Sequence, residues 1–201
     1  MENEIKAVRN YDQSTKDKMI PEKIQLDYQR PAFLDIFAQE SIIISKRSTC
    51  LWFEVGAIII ANGRYNISSG HNGAVAGDVN PRDVGCSRVV DGRLQKGKGL
   101  CRGSHAEINA IGNLTMPTMN ITDLTIMVTI HPCFSCAKQI VNKGIKKVYY
   151  IWNYSDEDEE TAQFLEEKGV RVEKYSSTFL EKWINTNNYQ PPPSAKQKTQ
   201  Q

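Results

Sequence analysis

Apolar positions along this chain follow first a helical period, then an alternating one, then both in turn. Phe33, Leu34, Ile36, Phe37 and Ile42–Ile44 recur at near-helical spacing behind Pro31. A proline suits a first helical turn, where its missing N–H would lack a partner anyway. Trp52 to Ala61 is apolar and β-branched, Asn62-Gly63 follows, and Tyr65 to Ser69 resumes the run. Asn-Gly between two such runs predicts a hairpin, because the tight turn joining twisted strands needs positive φ at both central residues.

From residue 104 onward helical and extended patterns alternate. The spacing predicts a helix over 104–113, a buried strand over 124–130, a helix over 133–143 closed by Gly144, and a strand over 146–152. Ser155 with Asp158 three residues on has the form of a capping box, which opens a helix reaching Lys168 and Gly169. A strand over 170–175 and a helix over 178–185 close the pattern. Asp156 to Glu160 is an unbroken acidic run, and at a helix N-terminus such charge is stabilised by the helix dipole. A hairpin followed by helix–strand repeats predicts an α/β fold, a central sheet with helices on its faces.

Between these patterns lies a long glycine-rich stretch, residues 70–103, with Gly70, Gly73, Gly77, Gly85, Gly92, Gly97, Gly99 and Gly103. Its basic residues Arg82, Arg88, Arg93, Lys96, Lys98 and Arg102 outnumber the acids Asp78, Asp83 and Asp91. A loop this long inside a compact domain is usually functional. Two readings stand side by side, a solvated flexible loop and a loop that faces phosphate. Residues 1–30 read as a loose N-terminal arm, 31–187 as the domain, and 188–201, with Gln190-Pro-Pro-Pro, as a disordered tail.

Composition narrows the classes. The 201 residues suit one domain, and 40 % hydrophobic with 24 % charged residues is ordinary for a globular chain. A formal charge of +2 gives no electrostatic footprint for duplex nucleic acid or an anionic membrane. The longest apolar run, Val55 to Ala61, is far too short to span a bilayer. The N-terminus has no apolar h-region of a secretory signal. Five cysteines, an odd number, do not resemble an extracellular disulfide framework and read first as metal ligands or buried thiols in a reducing compartment. The expected location is cytoplasmic.

The chemistry gathers in two short motifs, His105-Ala106-Glu107 and Pro132-Cys133-Phe134-Ser135-Cys136. One imidazole and two thiolates are three good ligands for Zn²⁺. Cys133 and Cys136, three apart in a first helical turn, project their sulfurs to one face, and the free N–H groups there favour thiolate over thiol. Three protein ligands leave the fourth tetrahedral position to solvent, and zinc acidifies water held there. Glu107, two residues from a ligand, is placed to shuttle protons between that water, a ring nitrogen and a departing amine. A structural zinc knuckle would instead need a fourth ligand. His131 is the nearest competitor, and its place before Pro132 predicts a side chain facing the loop. His-x-Glu followed by Pro-Cys-x-x-Cys is the signature of zinc deaminases.

Residues from about Phe33 to Tyr175 resemble the cytidine/deoxycytidylate deaminase superfamily, and most closely its deoxycytidylate (dCMP) deaminase branch. The resemblance rests on Val55-Gly56-Ala57 to Gly70-His71-Asn72-Gly73, Gly77, Leu100-Cys101-Arg102-Gly103, His105 to Ile111 and Pro132 to Lys138. Gly144 to Val148 and Gly169-Val170 continue it. It implies a mixed five-stranded sheet between helices, zinc at the N-termini of two helices, and hydrolysis of dCMP to dUMP and ammonia, which feeds thymidylate synthesis. It further implies that Asn72 contacts the sugar hydroxyl and the Ala106 backbone the pyrimidine carbonyl. Arg102 and Tyr154 are candidate substrate contacts. Family members are commonly homohexamers activated by dCTP and inhibited by dTTP with Mg²⁺, through a site beside the Gly-x-Asn-Gly loop, here His71 and Gly73.

The chain departs from that pattern in two places. His71 stands where the family often has tyrosine, and Asn80-Pro81 stands where a subset has His-Cys. Cys86 and Cys101 are then either two ligands of an incomplete second metal site or a pair of ordinary thiols. Cytidine, an adenine of transfer RNA or a riboflavin precursor are the alternative substrates, and a zinc module that senses nucleotides without catalysis is the alternative from another class. Glu107 argues against the last, since a sensor needs no proton shuttle.

Overall fold

The computed structural model describes residues 30–94, 101–115 and 120–191. Residues 1–29 of the predicted arm and most of the predicted tail lie outside them. The first helix, α1 (Phe33–Ser45), is followed by β1 (Gly56–Ala61) and β2 (Tyr65–His71). Asn62 and Gly63 between the two strands have φ of 53° and 64°, the tight turn that the dipeptide predicts. After the glycine-rich stretch come α3 (Ala106–Gly112), β7 (Leu124–Ile130), α4 (Phe134–Lys143), β8 (Lys147–Trp152), α5 (Asp158–Glu167), β9 (Arg171–Lys174) and α6 (Thr178–Thr186). Five short elements, β3 to β6 and α2, lie among the described residues of that stretch.

The five long strands form one sheet in the order β2-β1-β7-β8-β9. β1 runs antiparallel to both β2 and β7, whereas β7, β8 and β9 are parallel. Parallel neighbours need crossovers, and α4 and α5 supply them. The fold is the expected mixed five-stranded sheet between helices.

Burial on both faces explains why β1, Gly-Ala-Ile-Ile-Ile-Ala, reads as a continuous apolar run. Ala57 and Ile59 join Ala106, Ala110, Ile126, Val128, Ala137, Ile140, Val148 and Leu165 in one core. Ile58 and Ile60 join Phe37, Ala38, Ile42, Met127 and Leu180 in the other. Each fully buried isoleucine contributes about 1.5–3 kcal/mol. Two glycines let helices approach the sheet closely. A Cβ at Gly56 would lie 2.0 Å from Ser41 O of α1, and one at Gly70 would lie 2.4 Å from Ala106 O and Ala110 N of α3. Gly70 therefore seats on β2 the helix that begins beside His105.

Three differences from the sequence reading have local causes. The strand expected from Trp52 begins only at Gly56, because Phe53 and Val55 bond to the Asn72 side chain instead of to a strand. The stretch 70–103 is not one loop. It holds β3 (Gly73–Ala74), α2 (Pro81–Val84), β4 (Val89–Val90), β5 (Arg93–Leu94) and β6 (Gly103–Ser104). Asn80 caps α2 by accepting from Arg82 N at 2.9 Å, and Asp91-Gly92, at φ 50° and 73°, turns β4 into β5. The predicted tail starts late, for Tyr189 is buried, stacks on Trp152 at 5.4 Å and bonds Ser45 Oγ at 3.1 Å.

Candidate active site

The two motifs meet at helix starts. His105 is the N-cap of α3 and Cys133 the N-cap of α4, both with extended backbone, and neither side chain caps its own helix. They are aimed at one another instead. His105 Nδ1 lies 3.3 Å from Cys136 Sγ and 3.4 Å from Cys133 Sγ. The three ligand atoms all lie within 4.8 Å of one another. Gly70 fixes the approach of α3, and α4 begins where β7 ends, at the carboxyl edge of the parallel strands.

Protons occupy this triad in a telling way. A hydrogen bond from the Cys136 thiol, above all, holds Cys133 down to about 4, with further help from His105 and the Cys136 backbone N–H. The same bond and burial push the Cys136 thiol far above the ordinary thiol range. The bond to Cys133 also raises His105, against the effect of burial. An imidazole, a thiolate and a thiol sharing protons at these distances are a nitrogen and two sulfurs that a divalent cation can bind in their place. The donor set fits zinc.

Glu107, in the first turn of α3, is 3 % exposed. Burial raises its pKa most, and the carboxyl also bonds Cys136. It lines a cavity of about 60 Å³ with His105, Ala106, Cys133, Phe53, Asn72, His131 and Tyr154. A second cavity, of about 630 Å³, shares Phe53, Asn72, His105 and Tyr154 with the first. The smaller space therefore borders two of the ligands and the acid, and the larger adjoins it.

The other predicted site residues divide. Ala106 is fully buried on the small cavity. Asn72 faces both cavities, but its Oδ1 accepts from Val55 N at 2.9 Å and its Nδ2 donates to Phe53 O at 3.0 Å. One amide hydrogen remains for a ligand. Tyr154 faces both cavities, edge-on to Phe53 at 5.7 Å. Arg102 lines the larger cavity, yet its guanidinium forms a two-point bond with Asp78, through Nε at 2.8 Å and through Nη2. Gly73 also lines the larger cavity. His71 lines neither, and its Nδ1 faces Asn72 O at 3.2 Å.

His131 does not face a loop. It is 2 % exposed, its Nδ1 lies 3.1 Å from Pro132 O and 3.6 Å from Asp158 Oδ1, and its ring meets Tyr150 edge-on at 4.7 Å. Burial lowers its pKa, with Asp158 acting in the opposite sense. Among the described residues, His105, Cys133 and Cys136 form the one group of three or more side chains placed to hold a metal. Cys86 and Cys101 both line the larger cavity with Cys50, and no such group includes them. From sequence alone Phe53 has no role, His131 is weighed only as a competing ligand, and Asp158 only as a helix cap. Phe53 hides in a strand-like run and Asp158 in an acidic one, so only the proximity of His131 to Pro-Cys offered a signal.

An imidazole and two thiols at facing helix N-termini, with a buried carboxyl alongside and a mixed sheet behind, define a zinc deaminase centre. Residues 34–152 match the cytidine and deoxycytidylate deaminase zinc-binding region, and the chain belongs to that family. ComE operon protein 2 of Bacillus subtilis (strain 168) is 35 % identical over 146 residues, which are 73 % of this chain and 72 % of that protein. The deoxycytidylate deaminase of Enterobacteria phage T4 is 30 % identical over 186 residues, spanning 75 % of this chain and 95 % of the phage protein. The crystal structure of the dCMP deaminase from cyanophage S-TIM5, in complex with dCMP and dUMP, is 28 % identical with a TM-score of 0.58, covering 74 % of this chain and 100 % of that one. No helix among the described residues is long and apolar enough to cross a membrane.

Proposed function

We propose that this chain hydrolyses dCMP to dUMP and ammonia. The observation that carries the reading is the buried Glu107, which lines the same small cavity as His105 and Cys133, with the Cys136 sulfur within 4.8 Å of both their ligand atoms. The phage relatives, described as dCMP deaminases, support the choice of substrate. His105 Nδ1 and the two sulfurs would hold the zinc. When bound, the ion supplies Lewis acidity that brings the pKa of water into the neutral range.

The chain's own residues do the rest. Glu107 takes a proton from the water that attacks C4 and carries it to N3 of the ring. It then takes the remaining proton of the new C4 hydroxyl, which becomes the carbonyl, and hands it to the departing 4-amino nitrogen, so that one water enters and one ammonia leaves. Burial favours its protonated form, the form that donates to the leaving group. The Ala106 backbone meets the pyrimidine carbonyl. The remaining amide hydrogen of Asn72 serves the sugar hydroxyl. Arg102, with N–H groups beyond those given to Asp78, and the Tyr154 hydroxyl serve the phosphate end.

The same reading assigns the protein to the reducing cytoplasm, where it supplies dUMP for thymidylate synthesis as a homohexamer. His71 and Gly73 mark the regulatory site, where dCTP activates and dTTP inhibits with Mg²⁺. An ammonia-release screen over dCMP, CMP, dCTP, cytidine and deoxycytidine, with metal content measured alongside, tests these points. The expected result is preference for dCMP, raised by added dCTP and lowered by dTTP. Zinc-loaded protein inert on all of them overturns the activity, and a flat response to both triphosphates overturns the regulation.

A further inference from the structure

Between β8 and α5 the chain turns through residues 154–158, and a single carboxylate organises that turn. Asp158 Oδ2 accepts the Tyr154 N–H at 2.6 Å. Its Oδ1 accepts the Ser155 N–H at 2.9 Å and lies 3.6 Å from Nδ1 of the buried His131. His131 in turn lines the smaller cavity. On the opposite side of the threshold, Phe53 O accepts from Asn72 Nδ2 at 3.0 Å and from Ser48 Oγ at 2.9 Å. The Phe53 and Tyr154 rings, edge to face at 5.7 Å, both border both cavities. Each ring is thus anchored through its own backbone by a polar side chain.

We propose that Asp158 is a positioning residue: by tying the Tyr154 backbone to the start of α5, it holds the Tyr154 ring against Phe53 as the wall on which a pyrimidine nucleotide seats. The inference rests on the deaminase reading. Hydrogen bonds to a carboxylate are stronger than neutral ones, and two of them on consecutive amides leave Tyr154 little freedom. A capping box accounts for the bond from Ser155 N–H, whereas the bond from Tyr154 N–H goes beyond it.

A double-mutant cycle separates the two roles. For Asp158→Ala, the KM for dCMP is expected to rise about ten-fold with a smaller change in kcat and unchanged zinc content. On a Tyr154→Ala background the same substitution is expected to move KM less than about two-fold. Equal effects in both backgrounds overturn the proposal. Asp158→Asn keeps one acceptor oxygen, is expected to fall between parent and alanine, and carries the same cycle should the alanine variant not fold. Amide exchange at Tyr154 and Ser155, with the Phe53 ring resonances, reads the tie without turnover. Faster exchange and shifted Phe53 resonances in the Asp158 variant support it, and unchanged ones overturn it. Failure of the parent on every nucleotide would strike the deaminase reading, while these resonances would still judge the tie.

Discussion

Glu107→Gln is expected to lower kcat on dCMP by about 10²–10⁴-fold, the range for loss of a positioned general acid–base, while zinc content stays at the parent level. Glutamine fills the same volume beside Ala106 and Cys133 in the small cavity, so the packing of a residue only 3 % exposed is preserved. What disappears is a group able to take a proton and give it back. The three ligand atoms belong to other residues, so the metal should remain. Because the lost interaction operates in the transition state, kcat and kcat/KM should fall together. Steady-state ammonia release with atomic absorption for zinc checks both halves. A variant turning over at the parent rate contradicts the assignment.

Cys136→Ser is expected to reduce zinc to trace levels and deamination to background. Cys136 is wholly buried between His105 and Cys133, and a hydroxyl there replaces a soft sulfur ligand with a hard oxygen that stays protonated. The parent should also melt higher with zinc than without. Mass action adds about 4 kcal/mol when free metal is 1,000-fold above Kd, and the variant should lose that increment. The pH sense follows from the protons in the triad. Cys133 ionises at about 4 and remains a thiolate at neutral pH, whereas Cys136 must surrender a proton on binding. Zinc uptake should release protons and weaken as pH falls. Thermal melts with and without a chelator measure this, and a variant holding one zinc per chain contradicts it.

Much of the architecture is legible in the sequence because its signals are local. Asn62-Gly63 marks the hairpin, the apolar runs mark the inner strands, and Gly144, at φ 80°, closes α4. The ligand triad is legible because two short motifs carry the right atoms at the right spacing. What escapes the eye depends on distant partners. Residues 52–55 read as strand, but Asn72 captures their backbone. Asp78 engages Arg102 from 24 residues away, so no local pattern shows that this guanidinium already has a partner. His131 looks loop-facing beside Pro132 until Asp158 and Tyr150 close over it. Two-residue ladders such as β4 and β5 are too short to have a period, although Asp91-Gly92 carries the same turn signal as Asn62-Gly63.

X-ray absorption at the zinc edge of the purified holoprotein reads directly how the protein binds its metal. The expected first shell is one imidazole nitrogen, two sulfurs and one light solvent atom. That light atom should be replaced when a hydrated cytosine analogue binds. A shell completed by a second imidazole such as His131, or by a third sulfur, would contradict an open catalytic position.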